Sequence, residues 1–512
     1  MGKVVLELDA KNPNRFIATT QSDVSMLGWE TREKFKSYYV QACWANLVDL
    51  FTNAKALDLQ VEYDSLVIPK VDALREELKA LKEAQKIKAW TVDQIEEAWE
   101  ASGIPYLFKK VVADLHQKQM ILWLLAIKKG GCYAEQGLGK TVMGILMFGK
   151  LLEEGLIKKP LIVAPVGLLS DTAWFKDLAT FSDYKPINLR KQEDFYEEDG
   201  DIYFINSDKF SSWCYKKTEK AEKHYDKENY FELQKFDAIF FDEASVLKDH
   251  SSLKSKAFLN FCDHAKYIAF ASGTPAPNTI FQIWTQMKAI GSILGDCYSD
   301  FEQRYGVLRS VGPTQRYFPR KNAEMEIRKR IELVSFFIEK EKVMQLPERH
   351  IIDVKVDLND EQMKLYKKIE EDYVSAVHGY GEDGEFLEGE LAVEHEQTVR
   401  IKLLQILNGF VNIKDEFGKT QRVTLPWNAK LEKLKEMVQA DLDEDPTNNI
   451  IIWCRFRHEI ETIYEIYKDI GTFVYGGMGD AKRERHLLKW QDDPSCRIII
   501  AHPKSCKFGF TW

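Results

Sequence analysis

Apolar and polar positions come in blocks along most of this chain. From about residue 105 onward, short apolar runs at 161–164, 202–205, 238–241 and 267–271 stand between amphipathic or polar segments, and a second set follows at 450–454, 472–475 and 497–501. A strand in a parallel sheet covered on both faces hides both of its sides, so it reads as a short continuous apolar run rather than an alternation. Repeated between helical segments, such runs predict an α/β architecture with two doubly wound lobes. Between the sets lies a long charged stretch. Its acidic, glycine-bearing part, 379–396, has little to bury and is expected to loop out. Residues 4–8 and 15–19 read as a hairpin, and 71–86 repeats Leu and Ala at helical spacing amid charges. The predicted organisation is an accessory α/β region at 1–104, with a small substrate-recognition module as the alternative; a first lobe at 105–290; helical insertions with an acidic loop at 291–425; and a second lobe at 426–512.

Composition narrows the class. At 512 residues and 45% hydrophobic, the chain has material for several cores. Its longest uncharged apolar run, 120–127, is too short to span a bilayer, and acidic residues interrupt the stretch that a secretory leader would keep apolar. The eight cysteines are scattered without a Cys-x-x-Cys pair, which predicts thiols in a reducing cytoplasm or nucleoid rather than disulfides or structural zinc. A net charge of −9 argues against a generally cationic nucleic-acid binder. It does not argue against a motor, which needs basic residues only along a narrow track.

The chemistry is concentrated in two strings. Residues 134–141 read Ala-Glu-Gln-Gly-Leu-Gly-Lys-Thr, and 242–245 read Asp-Glu-Ala-Ser directly after the apolar run 238–241. Gly137 and Gly139 let the loop backbone, with Glu135, Gln136 and Leu138, fold its amides around phosphate oxygens, and a following helix adds its positive end. Lys140 is expected to reach the β- and γ-phosphates of ATP. Thr141 and Asp242 are expected to hold Mg2+, with Glu243 as general base. Taken singly, the first string also fits a helix-start loop without ligand, and acidic pairs mostly sit on solvated faces. A pair delivered by a buried strand does not. Ala134 stands where the first glycine of such loops is usual.

The ordered series Leu115-His-Gln117, residues 134–141, Val163-Ala-Pro-Val166, residues 242–245 and Ser272-Gly-Thr-Pro-Ala-Pro-Asn278 resembles the superfamily-two helicases and, within them, the Swi/Snf-type DNA translocases. Trp174, Asn278, residues 403–410 and Asn428-Ala-Lys-Leu431 carry that branch of the resemblance. It implies that Gln117 recognises adenine and that Ser272 and Thr274 couple the phosphate site to lobe movement; the plain alternatives are a helix-surface glutamine and a simple turn. It implies nucleic-acid contacts at Pro165, Arg455, Phe456, Arg457, Gly476, Gly477, Arg483, Ser505, Lys507 and Gly509, with Lys482, Arg485 and Lys504 adding charge, although single basic residues are commonly just solvated. Lys507 and Thr511 depart from the family's fifth motif. The resemblance also implies two RecA-like P-loop lobes, the second incomplete: the family's sixth motif, bearing two arginines, is expected beyond Trp512, so the chain is expected to be a fragment that binds ATP and hydrolyses it poorly. The function implied is an ATP-dependent translocase or helicase on duplex or branched DNA, with RNA a less favoured partner. The alternatives are an RNA helicase and a catalytically weak nucleotide-dependent clamp.

Overall fold

The apolar runs fold as strands because only a sheet covered on both faces hides them. The computed structural model describes residues 2–505 except 11, 21–29, 33–36, 109–112, 170–172, 192–193, 195–199, 214, 218–222, 226–235, 263, 373, 381–384, 393–395 and 415–419. The chain divides into two compact units, residues 1–346 and 347–510.

The first unit is built on a seven-stranded parallel sheet. Its order across the sheet is Ser335–Ile338, Lys129–Ala134, Tyr267–Ala271, Ala238–Asp242, Pro160–Ala164, Ile202–Asn206 and Pro186–Asn188. The central strands 160–164, 238–242 and 267–271 are buried at every position. Helices Leu115–Ile127 and Lys140–Glu153 cover the sheet with fully buried Trp123 and Phe148. The strand 129–134 gave no apolar signal because two of its six residues are glycine. At Gly130 a Cβ would stand 3.0 Å from the Val334 carbonyl and 3.1 Å from the Trp123 ring, so the close packing that places the strand also excludes a side chain. The sheet also reaches past residue 290 to take in 335–338.

The accessory region is a five-stranded sheet in which 2–9 pairs antiparallel with 12–20 and parallel with 59–63, backed by helices Trp44–Ala56 and Ile68–Gln85. It docks onto the lobe through polar groups. Gln85 Nε2 donates to the Leu333 carbonyl at 2.8 Å, and Lys88 Nζ donates to the carbonyls of Glu332 and Ser335, each at 2.7 Å. Both Nη atoms of Arg330 donate to Asp49, at 2.7 and 2.6 Å, and Arg304 adds a contact at 3.1 Å. Burial alone would raise the Asp49 carboxyl, but these guanidinium groups outweigh it and hold the group below the usual carboxylate range. A depressed folded-state pKa contributes stability above the unfolded value of about 4, and that contribution is lost as pH falls through the lower folded value. Asp49→Asn leaves Arg330 without its charge partner, so at pH 7 it is expected to cost about 3 kcal/mol in urea unfolding and to flatten the acid limb of the stability curve. An unchanged acid limb contradicts this.

The second unit holds two sheets. Strands Phe386–Ala392, Val374–Tyr380, Thr420–Thr424 and Phe410–Lys414 form an antiparallel sheet in that order. Helices Asp360–Asp372 and Glu396–Leu407 contribute Leu365, Ile369, Val399 and Ile406 to one core with Val411 and Val423. Within the acidic segment expected to loop out, residues 379–380 and 386–392 are strand instead. Its main-chain groups pair regardless of side-chain charge, and 386–392 forms the edge strand of this sheet. The other sheet is parallel, in the order Ile450–Trp453, Ile498–Ala501, Gly471–Val474, with helices Ala429–Glu444, Arg457–Tyr467 and Asp480–Asp492. Among the described residues no helix is long and apolar enough to cross a membrane.

Candidate active site

The two chemical strings meet at one edge of the seven-stranded sheet. Strand 129–134 ends at Ala134, which is fully buried and lies in ordinary strand backbone, so the position where a glycine is usual needs none. The turn follows. Gly137 and Gly139 have φ of 85° and 70°, the left-handed region that L side chains rarely adopt, and the helix starts at Lys140. A Cβ at Gly139 would also crowd the Gln117 amide. Lys140 Nζ donates to the carbonyls of Ala134 and Glu135, each at 3.1 Å, and so lies along the mouth of the loop. Glu135, Gln136 and Gly137 are exposed, while Leu138 is buried and anchors the loop.

Asp242 is the last residue of its strand and is 4% exposed. The indole Nε1 of Trp174 donates to Asp242 Oδ2 at 2.9 Å, and the Glu243 amide donates to Oδ1, also at 2.9 Å. Burial pushes the Asp242 carboxyl up; the Trp174 bond, the nearby Lys140 charge and the Glu243 amide oppose that rise. Glu243 is itself buried and has φ 53° and ψ 52°, a left-handed conformation that costs a non-glycine residue energy and that surrounding structure must enforce. Trp174 is fully buried and stacks edge-on against Phe204 and Phe240 at 6.0 and 5.6 Å, so the indole cannot swing away from the carboxylate.

The segment 272–278 lies against the loop. A Cβ on Gly273 would stand 3.4 Å from the Gln136 amide nitrogen and 3.5 Å from Glu135 Cα. Ser272 is fully buried, and its Oγ accepts from the Thr274 amide at 3.2 Å; Thr274 is exposed. Pattern reading passed over Gln286, which connects these parts. Fully buried, it accepts from the Tyr133 hydroxyl at 2.7 Å and donates to the carbonyls of Pro275 at 3.1 Å and Ala244 at 3.3 Å. One amide therefore joins the strand before the loop, the segment after Asp242 and Glu243, and the segment after Ser272.

Gln117 reaches the same loop. Its Nε2 donates to the Leu138 carbonyl at 3.3 Å, and its Oε1 accepts from the Asp114 amide at 3.0 Å. His116 Nε2 lies 3.2 Å from that carbonyl as well. The Nε2 end of the Gln117 amide thus holds the 134–141 loop, while its Oε1 end caps the start of its own helix at Asp114. Pro165 follows strand 160–164, and Leu168 donates its amide to the Pro165 carbonyl.

In the second unit, Asn428 caps its helix by accepting from the Leu431 amide at 3.0 Å and donates to the Asn408 carbonyl at 2.9 Å, so the separated strings 403–410 and 428–431 are in contact. Arg455 is exposed. Phe456 is half-buried against Phe410, with centroids 5.3 Å apart, and Glu459 Oε2 accepts from the Arg455 and Phe456 amides. The Arg457 guanidinium lies 4.5 Å from the Tyr475 ring centroid. A Cβ on Gly476 would stand 3.5 Å from Ser505 Oγ, so these two predicted positions come together. Arg483 is half-buried on helix 480–492, and Lys482 is exposed beside Phe473. Lys507, Gly509 and Thr511 lie outside the described residues.

Residues 116–412 match the model of the SNF2-related domain, more than half of the chain. The chain belongs to that family. The matched residues include every strand of the seven-stranded parallel sheet. The chain is 25% identical over 291 residues to the chromatin-remodeling ATPase INO80 of Cryptococcus neoformans, an alignment covering 51% of this chain and 15% of that protein. It is 24% identical over 414 residues to putative protein p41 of Acyrthosiphon pisum secondary endosymbiont phage 1, covering 77% of this chain and 81% of that one. It is 27% identical over 188 residues to human chromodomain-helicase-DNA-binding protein 1, covering 35% of this chain and 10% of that protein. The Sulfolobus solfataricus SWI2/SNF2 ATPase core in complex with dsDNA aligns at 19% identity over 77% of this chain and 78% of that chain, with a TM-score of 0.39.

Proposed function

We propose that this chain is an ATP-dependent translocase acting on double-stranded or branched DNA. The observation that carries the reading is the meeting, at one sheet edge, of the Gly137–Gly139 turn, Lys140, and the buried Asp242 and Glu243, with Gln286 tying that edge to the segment after Ser272. The residues fit a magnesium nucleotide. The donors are a carboxylate and a hydroxyl, which suit a hard cation, and two left-handed glycines leave the loop surface clear of Cβ atoms for phosphate oxygens.

In the proposed cycle the loop amides and Lys140 bind the phosphates, and Thr141 and Asp242 would hold Mg2+, which would supply positive charge beside the phosphates. Glu243 accepts a proton from water as that water attacks the γ-phosphorus and the bond to the β-bridging oxygen breaks. Ser272, Thr274 and Gln286 carry the loss of the γ-phosphate to the rest of the lobe. The exposed Arg455, with Lys482 and Arg485, contributes backbone contacts from the second lobe, where a residue such as Arg455 positions DNA without reading sequence. Family membership supports DNA as the track, and one of the relatives above is described as DNA-binding.

Displacement of a triplex-forming strand from duplex DNA tests this, because it reports movement along an intact duplex. ATP-dependent displacement is expected from the parent chain and none from Glu243→Gln. Movement on RNA alone would replace the reading with an RNA helicase. Tight ATP binding with neither displacement nor hydrolysis on any nucleic acid would replace it with a nucleotide-dependent clamp.

A further inference from the structure

A second ammonium stands at the phosphate loop, supplied from 200 positions further along the chain. The edge strand Ser335–Ile338 runs parallel beside Lys129–Ala134, in register from Ser335 with Gly131 to Ile338 with Ala134. Both strands therefore end at the same level. The connection continues past the last pair, where the Glu135 amide donates to the Ile338 carbonyl at 3.1 Å and the Lys340 amide donates to Glu135 Oε2 at 2.9 Å. These two bonds fix the backbone of Lys340 against the start of the loop. The side chain then crosses the turn, and a Cβ built on Gly137 would stand 3.3 Å from Lys340 Nζ and 3.7 Å from its Cε. Gly137 is the exposed, left-handed residue whose neighbouring amides form the anion cradle. Among the described residues the Lys340 ammonium has no carboxylate within ion-pair distance, whereas its neighbour Lys342 pairs with Glu339 at 3.0 Å. Of the nearby carboxylates, Glu135 accepts from the Lys340 amide and Glu339 pairs with Lys342.

We propose that Lys340 is a nucleotide-binding residue of this chain, its ammonium pairing with the polyphosphate from the side of the loop opposite the helix that Lys140 begins. This rests on the reading of residues 134–141 as a phosphate loop. Two cations on a chain of phosphates share its charge, and a single charge-assisted contact to phosphate is worth about 1.5–3 kcal/mol. Removing one is therefore expected to weaken binding by roughly 10- to 100-fold. The effect is expected to scale with the number of phosphates present, because the Lys340 ammonium lies beside Gly137 of the loop.

The test is equilibrium titration of the full chain with fluorescent ATP, ADP and AMP in the presence of magnesium, at two salt concentrations. Lys340→Ala and Lys340→Gln are expected to weaken ATP at least about tenfold and AMP less than about twofold, and to reduce the salt dependence of ATP binding. Lys340→Arg should recover most of the affinity, and Lys342→Ala on the same turn should change nothing. Unchanged melting temperatures separate a lost contact from a lost fold. If Lys340→Gln binds ATP within twofold of the parent while Lys140→Ala does not, the Lys340 assignment is wrong and the loop reading stands. If neither variant alters ATP binding, the loop reading itself fails.

Discussion

Glu243→Gln is expected to abolish ATP turnover while leaving ATP binding in place. Glutamine keeps the volume and one oxygen of glutamate but cannot accept a proton from the attacking water, and general base catalysis is commonly worth about 10²- to 10⁴-fold. Turnover should fall by that range, with nucleotide affinity within about threefold of the parent. Lys140→Ala acts on a different step. It removes a cation that faces the phosphates in ground and transition states alike, so affinity and turnover should fall together, affinity by roughly 10- to 100-fold. Nucleotide titration and steady-state hydrolysis on both variants separate the roles. Equal loss of affinity in both contradicts the assignment of Glu243 as base. The left-handed backbone at Glu243 adds a control. Glu243→Gly relieves that conformation and should raise thermal stability even as it removes activity.

Trp174→Ala is expected to destabilise the first unit by about 3–5 kcal/mol, because it empties a fully buried indole site between Phe204 and Phe240. Trp174→Phe is the more informative change. It retains most of the packing and deletes the 2.9 Å bond to Asp242 Oδ2, whose donor no phenyl ring replaces. A hydrogen bond to a charged group is worth about 1.5–3 kcal/mol, and its loss also frees the carboxylate to rotate. The Phe variant should therefore fold cooperatively, melt lower, and need roughly tenfold more Mg2+ for tight ATP binding. Mn2+ titration followed by electron paramagnetic resonance reads that requirement without turnover. A Phe variant with unchanged metal affinity would show that Trp174 only packs.

The sheet's centre was legible in the sequence because runs such as 161–164 and 238–241 are apolar at every position, as burial on both faces demands. Strands 129–134 and 335–338 were not, and the reasons differ. Gly130 and Gly131 dilute the first, and the close approach of Trp123 and Val334 that calls for Gly130 is a tertiary fact. The second is four residues long beside charged segments, and what makes it a strand is its pairing partner some 200 positions earlier. The two candidate strings singled out Lys140, Asp242 and Glu243 because the chemistry proposed for them depends on residue type at fixed local spacing. Gln286 and Lys340 carry no such spacing. Gln286 is a single polar residue on a short helix, and its role exists only where three remote segments converge on one amide. Gln117 shows the converse. A resemblance brought it to the site, and the structure shows its amide holding Leu138 and Asp114.

Steady-state ATP hydrolysis by the full chain, measured without nucleic acid and with saturating duplex DNA, single-stranded DNA or RNA, tests the proposed function most directly. Hydrolysis that rises with duplex DNA, rises less with single strands or RNA, and vanishes in Glu243→Gln is the predicted result. Hydrolysis stimulated by RNA but not by duplex DNA, or surviving in Glu243→Gln, would contradict it.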